Sequence, residues 1–384
     1  MAYAGPASVR AGTDRLLDRV ARRLGRPVRP EWREALRAVP RHLFLPARLW
    51  LRDGDGGYEL CDRGVEPERW WEAAWTDAPL VTDFTRASDG TREPSSSASA
   101  PSTVIRMLQD ARLDDGARVL EIGTGTGFNA ALLAHRLGDD RVTSVEIAAD
   151  LAERARASLV RAGRRPAVVH ADGARGWEAG APYDRIVATC SVRALPTAWL
   201  AQTTAGGTVV TPWETSWCTY GTLVLTRHRD GGASGRFAPY GSYMVMRGQR
   251  PDVELRRDVL REGQVPDTSR TSLSPWAVAG EDLDALFAVG LAVPGAWHSW
   301  DTDTGDAHTR LWLADDEATS WAAVDYDGRQ TETFRVAQYG PRRLWDEVAE
   351  AYGRWHRSGR PPVSRHGLTI TPDGAATVWQ APPD

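Results

Sequence analysis

The sequence predicts an α/β fold built on a doubly wound parallel sheet, and three stretches predict it. The first is residues 118–127, Arg-Val-Leu-Glu-Ile-Gly-Thr-Gly-Thr-Gly, a β-branched and leucine run that breaks at once into Gly123, Gly125 and Gly127. The second, Phe128 to Leu137, places Leu132, Leu133 and Leu137 at helical spacing and stops at Gly138. The third, Val142-Thr143-Ser144-Val145-Glu146, repeats the buried-strand pattern and ends in a carboxylate. Strand, glycine turn, helix and strand open a mononucleotide-binding βαβ unit. Glycines at the turn let the backbone lie close against a bulky ligand, because no Cβ intervenes.

A carboxylate at Glu146 suits the two hydroxyls of a ribose. A glycine triplet also suits a dinucleotide, so other details must decide. The spacing is Glu-x-Gly-x-Gly-x-Gly, the motif follows a long leader, and a third acidic turn, Asp172-Gly173, follows the strand Ala167–His170. These favour S-adenosylmethionine. The predicted fold is a Rossmann-like class I S-adenosylmethionine-dependent methyltransferase. It has a seven-stranded doubly wound sheet, N-terminal helices and a C-terminal α+β extension. Candidate cofactor residues are Glu121, Gly123, Thr124, Gly125, Gly127, Glu146, Ile147, Asp172 and Gly173, with S-adenosylhomocysteine as product.

The 384 residues exceed one ordinary domain, so a core with an appendage is expected. Hydrophobic content of 42% and charged content of 26% are ordinary for a globular protein. A net charge of −4 gives no basic surface for nucleic acid. All 47 basic residues are Arg, a pattern that coding bias explains. Cys61, Cys190 and Cys218 have no paired spacing, so neither a metal site nor a disulfide framework is expected. With no apolar signal core and no run of membrane-spanning length, a cytoplasmic protein without a membrane partner is expected.

In chain order, residues 13–38 read as two helices. Thr13 or Asp14 is a candidate cap for the first, Gly25 its end, and Pro30 the start of the second. Val39-Pro40-Arg41-His42-Leu43-Phe44-Leu45-Pro46 follows as a helix exit with an apolar peg. Between Pro46 and Pro94 lie Asp53-Gly54-Asp55-Gly56-Gly57 and Trp50, Trp70, Trp71 and Trp75. These rings read as a layer packed over the core, the alternative being an aromatic wall for a peptide. Pro94-Ser95-Ser96-Ser97-Ala98-Ser99-Ala100-Pro101-Ser102 reads by composition as a loop or an N-cap before the helix Thr103–Leu108.

From about residue 13 to about 225 the chain resembles the protein-L-isoaspartate O-methyltransferases. Val-Pro-Arg-x-x-Phe-x-Pro, Ser99-Ala100-Pro101, the glycine turn, Asp172-Gly173, Tyr183–Val187 and Ala205–Pro212 occur in the family's order. The resemblance implies that Ser99 holds the catalytic position, beside the substrate carboxyl and the methyl donor, with Ser97 as its loop neighbour. Thr189 and Cys190 end the strand Arg185–Thr189 at the switch-point crevice and complete the substrate side. Methyl transfer to a carboxylate needs no strong base or metal, because the nucleophile is already ionised. His42, His135 and His170 are accordingly read as structural or surface residues.

The core closes with a helix over Leu151–Leu159, another from Pro196 ended by Gly206-Gly207, and strands at Thr208–Val210 and Thr222–Thr226. Beyond about 230, strands at Thr309–Leu313 and Ser320–Val324, a hairpin turn at Asp327-Gly328, a helix over Arg342–Arg357, a strand near Gly367 and Val378-Trp379 suggest a folded appendage. Expected domains are a leader with Trp-rich insertion over 1–94, the cofactor-binding core over 95–229 and an α+β domain for peptide recognition over 230–384. This layout resembles relatives encoded with ribosomal peptide pathways (lanthipeptide, lasso peptide, graspetide). That resemblance implies methylation of an aspartate in a cyclised, modified precursor peptide, leading to aspartimide or isoaspartate. General isoaspartate repair is the alternative. A monomer is expected.

Overall fold

The structure is a computed structural model that describes residues 5–54, 56–86, 90, 92–302, 309–327 and 332–381. The chain divides into two compact units. The first holds residues up to Cys190 with Pro196–Thr211 and Val224–Ala233; the second holds Ser191–Leu195, Pro212–Leu223 and the residues from Ser234 onward.

The first unit opens with α1 (Pro6–Leu24) and α2 (Pro30–Ala38), which bury Leu16, Leu17, Val20, Trp32 and Leu36. Pro6 starts α1, a position where its missing N–H has no intrahelical acceptor to lose. Thr13 and Asp14 therefore lie inside the helix rather than capping it. Thr13 Oγ1 donates to the Val9 carbonyl, and Asp14 pairs with Arg37.

Next come β1 (Arg48–Arg52), β2 (Tyr58–Asp62), α3 (Pro67–Ala74), β3 (Leu80–Arg86) and β4 (Arg92–Ala98). The four strands form an antiparallel sheet in the order β2-β1-β3-β4. Asp55, in the expected glycine-rich connection, lies outside the described residues. Trp70, Trp71 and Trp75 are buried with Leu49, Cys61, Leu80 and Ala98 on one face of this sheet, as the packing-layer reading expects. Trp50 is not among them; it sits half-buried on the opposite face. The serine-rich stretch departs from expectation: Pro94 to Ala98 is strand, not loop or cap. Pairing with β3 outweighs its turn-prone composition, and one of its hydroxyls, Ser96 Oγ, accepts from Thr82 Oγ1 at 3.0 Å.

The central sheet follows α4 (Pro101–Asp110). Its first elements are β5 (Val119–Ile122), α5 (Phe128–Leu137), β6 (Val142–Glu146), α6 (Ala149–Arg161), β7 (Ala167–His170) and β8 (Tyr183–Ala188). It continues through α7 (Thr197–Gln202), β9 (Thr203–Pro212) and β10 (Thr222–Arg227). Strand order is β7-β6-β5-β8-β9-β10, with β7 to β9 parallel. Order reverses at β5, so a crevice opens beyond its C-terminal end. All four residues of β5 are buried, which is why it reads as a continuous apolar run interrupted only by Glu121. Gly206 and Gly207 prove to lie within β9 rather than to end a helix. The strand already starts at the β-branched Thr203, opposite a register shift between Tyr183 and Arg185.

The second unit contains β11 (Ala233–Ala238), β12 (Asp267–Thr271), α8 (Pro275–Ala279), α9 (Leu283–Ala292), β13 (Ala296–Asp301), β14 (Thr309–Asp315) and β15 (Trp321–Tyr326). It ends with β16 (Phe334–Tyr339), α10 (Leu344–Arg357), β17 (His366–Ile370) and β18 (Ala376–Gln380). A five-stranded antiparallel sheet runs β12-β16-β15-β14-β13, and α10 packs on β14, β15 and β16. The helix buries Leu344, Trp345, Val348 and Trp355, the face its spacing predicts. Strands β17 and β18 pair as a hairpin. Of the predicted turn Asp327-Gly328, Gly328 lies outside the described residues.

Among the described residues, no helix is long and apolar enough to cross a membrane, and no three His, Cys, Asp or Glu are placed to hold a metal.

Candidate active site

The site is assembled where β5, β6, β7 and β8 end. The turn after β5 holds its shape through the neighbouring strand: Gly123 N and Thr124 N both donate to the Val145 carbonyl, at 2.8 and 3.2 Å. Gly125 N donates to Glu146 Oε2 at 2.9 Å, while Ala148 N donates to Oε1 at 3.1 Å. Each Glu146 oxygen keeps a free lone-pair direction. Gly125 has φ +54°, and a Cβ built there would meet nothing nearer than the Ser97 carbonyl oxygen, at 4.0 Å. The glycine therefore leaves a cradle between the turn and the end of β4. A bulky ligand lying along the backbone fits that space, and the adjoining carboxylate fits a ribose diol.

Behind the turn sits Glu121, fully buried. Its Oε1 accepts from Asn129 Nδ2 at 2.7 Å, and Oε2 accepts from Ser144 Oγ, which lies 2.6 Å from Thr124 Oγ1. Burial pushes the Glu121 carboxyl up to about 7 against those two hydrogen bonds, with the charge of Glu146 adding to the rise. Glu121 is thus joined to the turn through Ser144 and Thr124 and does not face the cradle directly.

Around this turn the structure gathers most of the candidate residues. Ile147 follows Glu146 with 42% of its surface open, an apolar plate at the rim. Asp172 is exposed, and its Oδ1 accepts from Ala174 N at 3.0 Å. Gly173 packs on Ile122, where a Cβ would approach Cγ2 to 2.6 Å. Thr189 Oγ1 donates to the Gly123 carbonyl, tying the end of β8 to the turn. Cys190 is half-buried, and burial, then the nearby Glu146 charge, pushes its thiol up to about 12, which keeps it protonated at neutral pH. His170 is exposed, His42 packs against Trp71 with ring centres 4.9 Å apart, and Arg164 donates to His135.

Ser97 and Ser99 arrive from β4, and sequence reasoning missed what fixes them. Arg41, buried, donates to the carbonyls of Thr76, Ala78, Ala98 and Ser99 at 2.8–3.0 Å. Burial lowers its guanidinium to about 10, partly opposed by Asp77, so it stays charged at neutral pH. Asp77 Oδ1 in turn accepts from Ser102 N at 2.8 Å, so the start of α4 is capped from a distance and not by a local serine. The signal is present in the sequence as the Val-Pro-Arg run, a helix exit and a family motif that does not name the carbonyls Arg41 gathers.

A cofactor cradle on the crossover of a doubly wound sheet, with an acidic strand end beside it, defines a class I S-adenosylmethionine-dependent methyltransferase. The sequence model of the protein-L-isoaspartate(D-aspartate) O-methyltransferases matches residues 59–235. A protein-L-isoaspartate O-methyltransferase of Ignicoccus hospitalis is 34% identical over 188 residues, 48% of this chain and 74% of that protein. One of Archaeoglobus fulgidus is 34% identical over 219 residues, 54% and 85%. A solved structure described as a protein-L-isoaspartate O-methyltransferase shares the fold at 20% identity and a TM-score of 0.54, covering 96% of this chain and 99% of that one. The chain belongs to the protein-L-isoaspartate O-methyltransferase family.

Proposed function

We propose that the enzyme methylates the free carboxylate of isoaspartyl residues in proteins and peptides, the reaction of a general repair transferase. The observation that carries this reading is the junction of the Gly125 cradle with the end of β4, which brings a serine-bearing strand end to the cofactor turn. S-adenosylmethionine supplies the methyl group on a sulfonium, and the substrate oxygen takes it with release of a neutral thioether. The chain's own part is to hold and align. Glu146 would hold the ribose, and the turn from Gly123 to Gly127 the remainder of the cofactor. Ser99 would hydrogen-bond one carboxylate oxygen and aim the other, while Arg41 fixes the Ser99 backbone. No group need remove a proton, which accords with a neutral Cys190.

A dedicated precursor-peptide enzyme is the second reading, resting on the residues beyond 235 that fall outside the family match. The large second unit alone does not favour it, because the structure sharing this fold over 96% of the chain has the same extent and carries the family's ordinary description. Two variants test the assigned roles. Glu146→Ala should weaken cofactor binding by about 1.5–3 kcal/mol, the worth of a hydrogen bond to a charged group. Ser99→Ala should leave that affinity intact and slow turnover. Calorimetry with the cofactor and steady-state rates on an isoaspartyl peptide read both, and wild-type values in either variant would remove that residue from its role.

A further inference from the structure

We propose that the aromatic patch on the Trp50 face of the sheet β2-β1-β3-β4 docks an aromatic or branched aliphatic side chain of the substrate polypeptide, a few residues from the carboxylate that is methylated. The inference rests on the reading of Ser97 and Ser99 as substrate-side residues and adds a recognition element to it.

The sheet's two faces differ. One is closed by Trp70, Trp71 and Trp75. The other carries Trp50, Tyr58, Leu60 and Phe84, with Tyr58 39% and Leu60 47% exposed. Register shifts on either side of Asp83 bring Phe84 against Trp50 and Tyr58, with ring centres 5.2 and 5.6 Å away, both edge-on. The Arg92 guanidinium lies 4.8 Å over Phe84 and 5.9 Å from the Trp50 ring. Isolated exposed apolar residues are ordinary, but a contiguous aromatic patch is a recognition surface. Rings and an arginine plane together favour another ring or a branched chain as the occupant.

The pairing says whose side chain that is. Leu60 pairs with Trp50, Trp50 with Val81, which is itself buried, and Val81 with Ser97, so one cross-strand row sets the distance from the patch to the strand end at the cofactor turn. Two inter-strand spacings separate Trp50 from Ser97, about 10 Å, which an extended peptide spans in about three residues. A polypeptide whose carboxylate sits at Ser99 therefore has a neighbouring side chain within reach of this face. A free amino acid does not.

The test uses isoaspartyl peptides identical except for Phe or Gly three residues from the isoaspartate, on either side. The wild-type enzyme should prefer one Phe peptide by about tenfold in kcat/KM, carried in KM. That is the worth of partly burying one ring, about 1.4 kcal/mol. Tyr58→Ser with Leu60→Ser, both at exposed positions, should bring the ratio close to one without changing the KM for S-adenosylmethionine. Val265→Ser, 84% exposed in the second unit, should keep the preference. Equal rates on all peptides, or a preference that survives the double variant, overturns the proposal. So does a double variant that alters sedimentation but not preference, because a second copy then covers the face. If no isoaspartyl peptide is methylated, the repair reading fails, and photocrosslinking with a benzophenone in place of the Phe decides the surface separately. Adducts on β1, β2 or β3 support it, and adducts only elsewhere refute it.

Discussion

Arg41 gathers four carbonyls that are 35, 37, 57 and 58 residues away in sequence, and Ser99 is the last of them. The Val-Pro-Arg motif was legible, but a motif names a residue and not its acceptors, so the role emerged only from the fold. Arg41→Lys keeps the charge and loses the fork that reaches several carbonyls at once. Urea unfolding should show a loss of about 2–3 kcal/mol from buried carbonyls left unpaired. Turnover should fall while cofactor affinity holds; stability and turnover at wild-type values would contradict this. Glu121 gives a test with a pH axis. Its carboxyl ordinarily titrates at 4.5 and in the fold at about 7, so between these values the folded state keeps a proton that the unfolded chain has released. Stability must then fall as pH rises through that window, by about 3 kcal/mol in total. Glu121→Gln removes the titration and should flatten the stability profile from pH 4.5 to 7 relative to wild type. Parallel profiles would show that Glu121 does not carry the effect.

At the scale of elements, the strand, turn and helix around Gly123 were readable because their signals are local. β4 was not, because the partner that makes Pro94–Ala98 extended is β3, and serine and proline composition points to a turn. The same non-local logic ended α7 early and put Gly206 and Gly207 in a strand. Two glycines of the turn separate folding from binding. Gly125→Ala places a methyl group in the open cradle at φ +54°, so stability should drop by only about 1–2 kcal/mol, the left-handed penalty. Cofactor affinity should drop tenfold or more. Gly123→Ala forces a Cβ to within 2.8 Å of Thr189 Oγ1 at φ +92° and should cost more stability. Calorimetric titration and thermal melts of both variants check the order. A Gly125→Ala protein that binds the cofactor as wild type does would empty the cradle of its assigned role.

For the whole molecule, the sequence showed that the residues beyond 230 fold as α+β, through strand alternation and the apolar face of α10. It did not show what that unit is for. The expectation that a large second unit marks a dedicated peptide enzyme treated size as specificity. A solved structure shares the fold over nearly the whole chain, and a fold does not set substrate choice. Substrate choice is therefore the claim on which the account stands. It is tested by mass spectrometry of the full-length protein with S-adenosylmethionine and three substrates: an isoaspartyl peptide, the same peptide with an ordinary aspartate, and a cyclised ribosomal peptide. A gain of one CH2 is expected on the isoaspartyl peptide and none on its aspartyl counterpart. A CH2 gain on the cyclised peptide alone, followed by a net loss of water from its starting mass, would contradict it.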